Sequence, residues 1–93
     1  MGAVGTAILD FGATPGSRSD TVVSGQASIV SNSYVEAWLA ADTSADHNAE
    51  EHALAASFVG VSCGAIIAGT GFTIFGRSST TLTGQWSVRW VWN

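Results

Sequence analysis

Short apolar segments alternate with turn-forming residues along this chain, and within the segments apolar and polar positions alternate with a period of two. The clearest case is residues 84–92, in which one face carries Trp86, Val88, Trp90 and Trp92. Successive side chains of a strand point to opposite sides of its sheet, so this pattern predicts a strand with one apolar face. Three tryptophans on one strand face form a large apolar wall.

The same pattern predicts further strands over 6–11, 21–30, 34–40, 54–63, 65–69 and 71–76. In residues 34–40, Trp38 lies on the face opposite Val35, Ala37 and Leu39. In residues 71–76, Phe72 and Phe75 lie on opposite faces. Glycine and serine turns at close intervals are typical of antiparallel all-β proteins. We therefore predict a single domain over 1–93, a small antiparallel β-sandwich or barrel of six to eight strands.

One short helix is predicted near 44–53. Alanine is frequent there, and Thr43 and Asp46 have the spacing of a capping box. An irregular loop is the alternative for this segment.

Residues 46–52, with the sequence DHNAEEH, contain both histidines and three of the seven acidic residues. The zinc-protease motif H-E-x-x-H places two imidazoles four residues apart on one helix face. His47 and His52 are five apart, which separates them by roughly 140° on a helix. A helix would instead bring together His47 with Glu51, and Asp46 with Glu50. The spacing favours a structural or interface role over a metal site, and catalysis is the least favoured of the three.

Other catalytic patterns fail on physical grounds. GFTIFGRS (71–78) approaches the phosphate-binding spelling G-x-x-x-x-G-K-[ST], with Arg77 in place of lysine. A phosphate cradle needs a turn that leads into a helix, whereas this segment has a strand pattern. Serines are plentiful, but both histidines lie in one short acidic stretch, and no G-x-S-x-G elbow exists. We expect no enzyme activity, no cofactor and no resident metal.

Composition points to association with other proteins. Hydrophobic residues make up 46% of the chain and charged residues only 11%, against about 25% charged in an average domain. Polar surface is scarce for a particle this small, so we expect a homo-oligomer or a subunit of an assembly.

The charge distribution narrows the class of partner. The net charge is −4, and the cations are three scattered arginines with no lysine, so we expect neither a nucleic acid nor a membrane surface as a direct partner. The first ten residues lack the basic region of a signal peptide, and no apolar run reaches the roughly 18 residues of a bilayer span. The single cysteine, Cys63, excludes an internal disulfide.

The aromatic residues are the candidates for core or interface burial: Trp38, Trp86, Trp90, Trp92, Phe72 and Phe75. An exposed aromatic face that stacks on sugar rings is the less favoured alternative. The candidates for an exposed polar loop at a contact are Asp46, His47, Glu50 and His52.

Three stretches together carry a resemblance: SYVEAWLAADTSADHNAEEH, VSCGAIIAGTGFTIFG and GQWSVRWVWN. In order and spacing they resemble a group of small proteins encoded among the structural genes of tailed bacteriophages and prophages. The resemblance spans about residues 25 to 93. It implies a virion role and brings no catalytic residues with it.

What the resemblance implies agrees with the composition. We expect a virion protein, made in the host cytoplasm, that decorates and cements the capsid by binding the major capsid protein or another virion protein, with a trimer favoured. A tail- or fibre-associated protein of the same virion has the same composition and stays an alternative. A carbohydrate-binding receptor-recognition module is the other alternative.

Overall fold

Six strands and one helix form the described part of the chain. The computed structural model describes residues 2–39 and 43–93. The elements are β1 (Ala3–Asp10), β2 (Gly16–Val23), β3 (Val35–Leu39), α1 (Ala49–Ala55), β4 (Val59–Ile67), β5 (Gly71–Leu82) and β6 (Gln85–Trp92). The prediction of a small all-β protein with one short helix is confirmed. Residue 40, which the predicted strand over 34–40 included, lies outside the described residues.

The strands form two antiparallel three-stranded sheets that pack as a sandwich. Sheet A has the order β1-β6-β3, and sheet B has the order β2-β5-β4. Along one side of the sandwich β1 contacts β2, and along the other side β3 contacts β4. Two hydroxyl groups join the sheets on the first side, because Ser19 donates to the carbonyl of Asp10 and Thr21 donates to the carbonyl of Ile8.

The central strand of each sheet carries the main apolar face. On β6 the four alternating apolar positions point into the core, as their period predicts. On β5, Phe72 and Ile74 point inward, and Phe75 is half-buried on the outer side. The core consists of Leu9, Phe11, Val23, Ile29, Ala37, Leu39, Ala55, Val59, Phe72, Ile74, Trp86, Val88, Trp90 and Trp92.

The second strand differs from its prediction. A strand was predicted over 21–30, but β2 spans Gly16–Val23, and Gly25 follows it with φ 78°. The reason is that Ser19 and Thr21 are polar residues that hydrogen-bond to the edge of β1. An apolar alternation therefore does not mark this strand.

The helix is displaced from the predicted 44–53. It spans Ala49–Ala55 and is capped by Asn48 and Glu51 rather than by Thr43 and Asp46. Residues 43–47 are not helical because Asp46 accepts a hydrogen bond from the backbone of β6. The strand predicted from residue 54 therefore begins later, at Val59.

Candidate functional site

Segment 46–52 lies beside β6 and completes its hydrogen bonding. The last described pair between β3 and β6 joins Leu39 to Val88. Beyond it, the Ser87 N–H donates to His52 Nε2 at 2.8 Å, and the Gln85 N–H donates to Asp46 Oδ2 at 2.7 Å. Side chains of this segment thus occupy positions that a neighbouring strand would otherwise fill.

His52 is fully buried in α1, whereas the sequence placed it in an exposed polar loop. Because Nε2 accepts the Ser87 N–H, Nδ1 carries the proton of the neutral ring. It donates that proton to the Asn48 carbonyl at 2.9 Å. Both ring nitrogens are therefore occupied within the protein, and the side chain has a structural role.

The acidic residues of the segment divide between capping and solvent. Glu51 and Asn48 form a reciprocal capping box, with both bonds at 2.9 Å. The hydrogen bond from the Asn48 N–H lowers the pKa of the Glu51 carboxyl most, desolvation opposes it, and His47 lowers the pKa to a smaller extent. Glu50 is exposed. The predicted i,i+4 pair of His47 with Glu51 is present, at 3.7 Å, while Asp46 bonds to β6.

His47 stacks on Trp86. Their ring centroids are 3.7 Å apart with an interplanar angle of 17°. His47 Nε2 lies 2.8 Å from the carbonyl of Thr83, which also accepts the Trp86 indole N–H. His47 therefore joins the start of α1 to the turn between β5 and β6.

Segment 46–52 does not have the geometry of a metal centre. The two imidazole rings are 6.4 Å apart and inclined at 71°, and His52 has no free nitrogen. Within residues 2–39 and 43–93, no group of three or more histidine, cysteine or acidic side chains is arranged to hold a metal ion.

The tryptophans divide into buried and exposed members. Trp86, Trp90 and Trp92 are at most 7% exposed. Their indole N–H groups donate to the Thr83 carbonyl, the Thr6 carbonyl and the Gln26 side chain, respectively. Phe72 lies edge-to-face against Trp90 in the same core. Trp38 is 43% exposed, on the outer side of β3.

The outer side of sheet A forms an apolar surface, which we call the aromatic face. Its residues are Val4, Thr6 and Ile8 on β1, Arg89 and Val91 on β6, and Tyr34, Glu36 and Trp38 on or beside β3. Tyr34 continues the ladder by exchanging two backbone hydrogen bonds with Asn93. Tyr34 is 85% exposed and Val4 is 76% exposed. Among the described residues, four of the eight exposed large hydrophobic side chains lie on this face, including both exposed aromatic ones.

The outer side of sheet B is more polar. Arg77 donates to Asp20 at 2.7 Å and lies over the Phe75 ring, which it partly covers. On β4, Gly60 and Gly64 add no side-chain bulk, and Ile67 at the end of the strand is 60% exposed. Val22 is its exposed aliphatic residue on β2. Of the two outer faces, the aromatic face is the one suited to apolar contact.

Cys63 lies on β4 and is not activated. Burial raises the pKa of its thiol to about 11, and the negative charge of Glu36 contributes in the same direction. The thiolate is the nucleophilic form, so this cysteine is unreactive near neutral pH.

The sequence did not identify all the residues of the aromatic face. Tyr34, Val4 and Ile8 were not singled out, although a period of two places Tyr34 on the same strand side as Trp38. The GFTIFGRS segment is part of β5, as its strand pattern predicted. In the described ranges, no helix is long and apolar enough to cross a membrane.

Comparisons with protein-family models, curated proteins and solved structures give no match to this chain.

Proposed function

We propose that this protein is a non-enzymatic structural protein of a tailed-phage virion, a decoration protein that binds the major capsid lattice through the aromatic face. The aromatic face is the observation on which the proposal rests, because it leaves Tyr34, Trp38 and Val4 in contact with solvent. The resemblance of three stretches of the sequence to small phage structural proteins supports the virion role.

The chemistry of the aromatic face suits protein binding. Tyrosine, tryptophan and arginine are the residues that most often dominate the energy of protein interfaces. Here Tyr34, Trp38 and Arg89 occur together, with Glu36 beside them. Apolar burial would provide affinity, and the two charged residues would fix orientation on the partner.

The size of the face favours multivalent attachment. Three strands about 4.8 Å apart, two of eight residues and one of five, cover roughly 350 Å² in projection. A stable interface buries about 800 Å² on each partner. One copy would therefore bind weakly, and a homo-oligomer that presents several copies would bind tightly through avidity. This supports the proposed trimer.

Binding to capsids that lack the protein tests the proposal. We expect Trp38→Ser and Tyr34→Ser each to weaken co-sedimentation with such capsids by about tenfold or more, since each removes an exposed interface aromatic. Val22→Ser is the matched control, because Val22 is 68% exposed on the other sheet. It should change binding by less than about twofold, as expected for a residue outside the interface.

Two outcomes would contradict the decoration role. Equal losses for Trp38→Ser and Val22→Ser would show that the aromatic face is not the docking surface. The copy number per particle distinguishes a decoration protein from a tail or fibre component. Hundreds of copies fit a decoration protein, whereas a few to dozens fit a tail or fibre component.

A carbohydrate-binding module is the second candidate. Tyr34 and Trp38 lie about 13 Å apart along one strand side, with Glu36 between them. A groove of about 420 Å³ lies at Tyr34 and is also lined by Glu36, Val91 and Asn93. If glycans bind the free protein and Trp38→Ser abolishes that binding, this candidate replaces lattice docking.

A further inference from the structure

An apolar groove of about 340 Å³ lies between α1 and the turn that joins β5 to β6. We call it the α1 groove; among its lining residues are Pro15, Glu51, Leu54, Phe58, Leu82 and Trp86. Leu54 is 69% exposed. Exposed apolar surface beside a groove marks a site of interaction with another molecule. The α1 groove shares no residue with the aromatic face, so docking through that face leaves the groove open.

Glu51 adds a negative charge to the α1 groove. Its Oε1 accepts the Asn48 N–H in the capping box. Its Oε2 lies 3.7 Å from His47 Nδ1, which is longer than a hydrogen bond. Because the hydrogen bond from Asn48 lowers the pKa of the Glu51 carboxyl, the group is ionised near neutral pH. Oε2 therefore has room for a donor from outside the chain.

Arg18 is a cation without a partner in its own chain. Among the described residues it forms no ion pair, and its side chain forms no hydrogen bond. Arg77 lies directly opposite it in the ladder between β2 and β5, and like charges in such positions repel. Arg77 is neutralised by Asp20 at 2.7 Å. The charge of Arg18 is left unpaired.

Arg18 and the α1 groove lie at the same end of sheet B. Pro15 lines the groove, and the next residue, Gly16, pairs with Leu82. Arg18 follows two residues later, roughly 7 Å along β2. One surface thus carries an apolar groove, an exposed leucine and unpaired charges of both signs. Such a surface is complementary to a second copy of itself.

We propose that the α1 groove binds a second copy of the chain, with Leu54 buried at the contact and Arg18 of one copy paired with Glu51 of the next. A second copy is the favoured occupant because the chain itself carries the unpaired cation that the groove needs. Each copy supplies one Arg18 and one Glu51, so a twofold or a threefold axis closes the contact. The inference rests on the homo-oligomer of the proposed function and not on capsid docking.

The mass of the protein in sedimentation equilibrium, measured over a range of concentrations, tests the apolar part of the contact. We expect Leu54→Ser to weaken association by about tenfold or more, since it removes an apolar side chain from the centre of the interface. Val30→Ser is the matched control and should change association by less than about twofold. Val30 is 51% exposed and follows Ile29, whose carbonyl accepts the Gly69 N–H in the turn at the opposite end of β5.

A double-mutant cycle in the same assay tests the ion pair. We expect Arg18→Gln and Glu51→Gln each to weaken association by about fivefold. The double variant should be no weaker than either single variant, because all three lack the same contact. Glutamine at position 51 preserves the capping box. Arg77→Gln removes the same charge from the chain, and as the control for net charge it should change association by less than about twofold.

Three results would overturn the inference: a wild type that stays monomeric at every concentration, equal losses in Leu54→Ser and Val30→Ser, or additive losses in the cycle. Capsid docking fails by a different measurement. An oligomer that is lost in Leu54→Ser, together with capsid binding that is unchanged in Trp38→Ser, would support the α1 groove and contradict docking through the aromatic face.

Discussion

At the scale of single residues, two histidines five positions apart have different environments. His52 is enclosed and uses both nitrogens, whereas His47 is stacked on Trp86 and leaves one nitrogen without a partner. The difference comes from which backbone groups each ring meets: a donor from Ser87 in one case and an acceptor from Thr83 in the other. The chemistry of an imidazole here is set by its contacts, not by its place in a motif.

Replacing His52 should destabilise the protein severely. His52→Leu roughly conserves volume but leaves the Ser87 N–H without its acceptor in the interior. We expect a loss of about 2–4 kcal/mol in the free energy of unfolding, measured by chemical denaturation. Glu50→Gln, on the exposed side of the same helix, is the control and should change stability by less than about 0.5 kcal/mol. Wild-type stability in His52→Leu would mean that the buried bond contributes nothing.

At the scale of elements, the strands are joined by contacts that a local pattern does not encode. β2 is joined to β1 through two hydroxyl groups, and segment 46–52 is joined to β6 through a carboxylate and an imidazole. Strand β1 must also approach a tryptophan closely. Gly5 lies opposite Trp90, and a Cβ at that position would come within 2.3 Å of the indole ring.

Gly5→Ala should therefore cost stability. The Trp90 ring is buried and packed against Phe72, so it cannot move away freely. We expect a loss of about 1–3 kcal/mol by chemical denaturation, typical of overpacking. Gly64→Ala is the matched strand control, because its Cβ would meet the Phe75 ring at an ordinary 3.5 Å. If both variants lose equal stability, β propensity rather than the indole contact is responsible.

At the scale of the whole molecule, the core does not hold all of the apolar residues. Some fill the space between the sheets, some lie on the aromatic face, where Tyr34 and Trp38 contact solvent, and others such as Val22 and Leu54 are exposed elsewhere. The particle measures about 34 × 21 × 20 Å, and a domain this small has too little interior to hide all its apolar residues. Association is the physical consequence that we propose.

Light scattering on the purified protein, with metal content measured on the same sample, checks that consequence. We expect a closed oligomer, with a trimer of the 9.5 kDa chain favoured, and no stoichiometric metal. The variant Trp38→Ser should keep this mass if the aromatic face docks on the lattice rather than on another copy. A monomer with one metal ion per chain would contradict the assembly role and would make segment 46–52 the candidate metal site.

The amino-acid sequence alone was sufficient to predict the fold class and the faces of three strands. A period of two identifies the residues that share a side of a strand, so the inward faces of β3, β5 and β6 were predictable. The exposure of Trp38 depends on how the two sheets stack. This packing leaves Trp38 on the outer side of one sheet and buries the other tryptophans.

The tertiary structure also decided the roles of the polar residues. Ser19 and Thr21 made β2 unrecognisable as an amphipathic strand, because their partners lie across the sandwich on β1. Asp46 and His52 bond to strand positions more than thirty residues away. Alternation is a local property of the chain, whereas long-range packing determines which groups form hydrogen bonds. For this reason the sequence identified segment 46–52 as unusual but did not predict the roles of its residues.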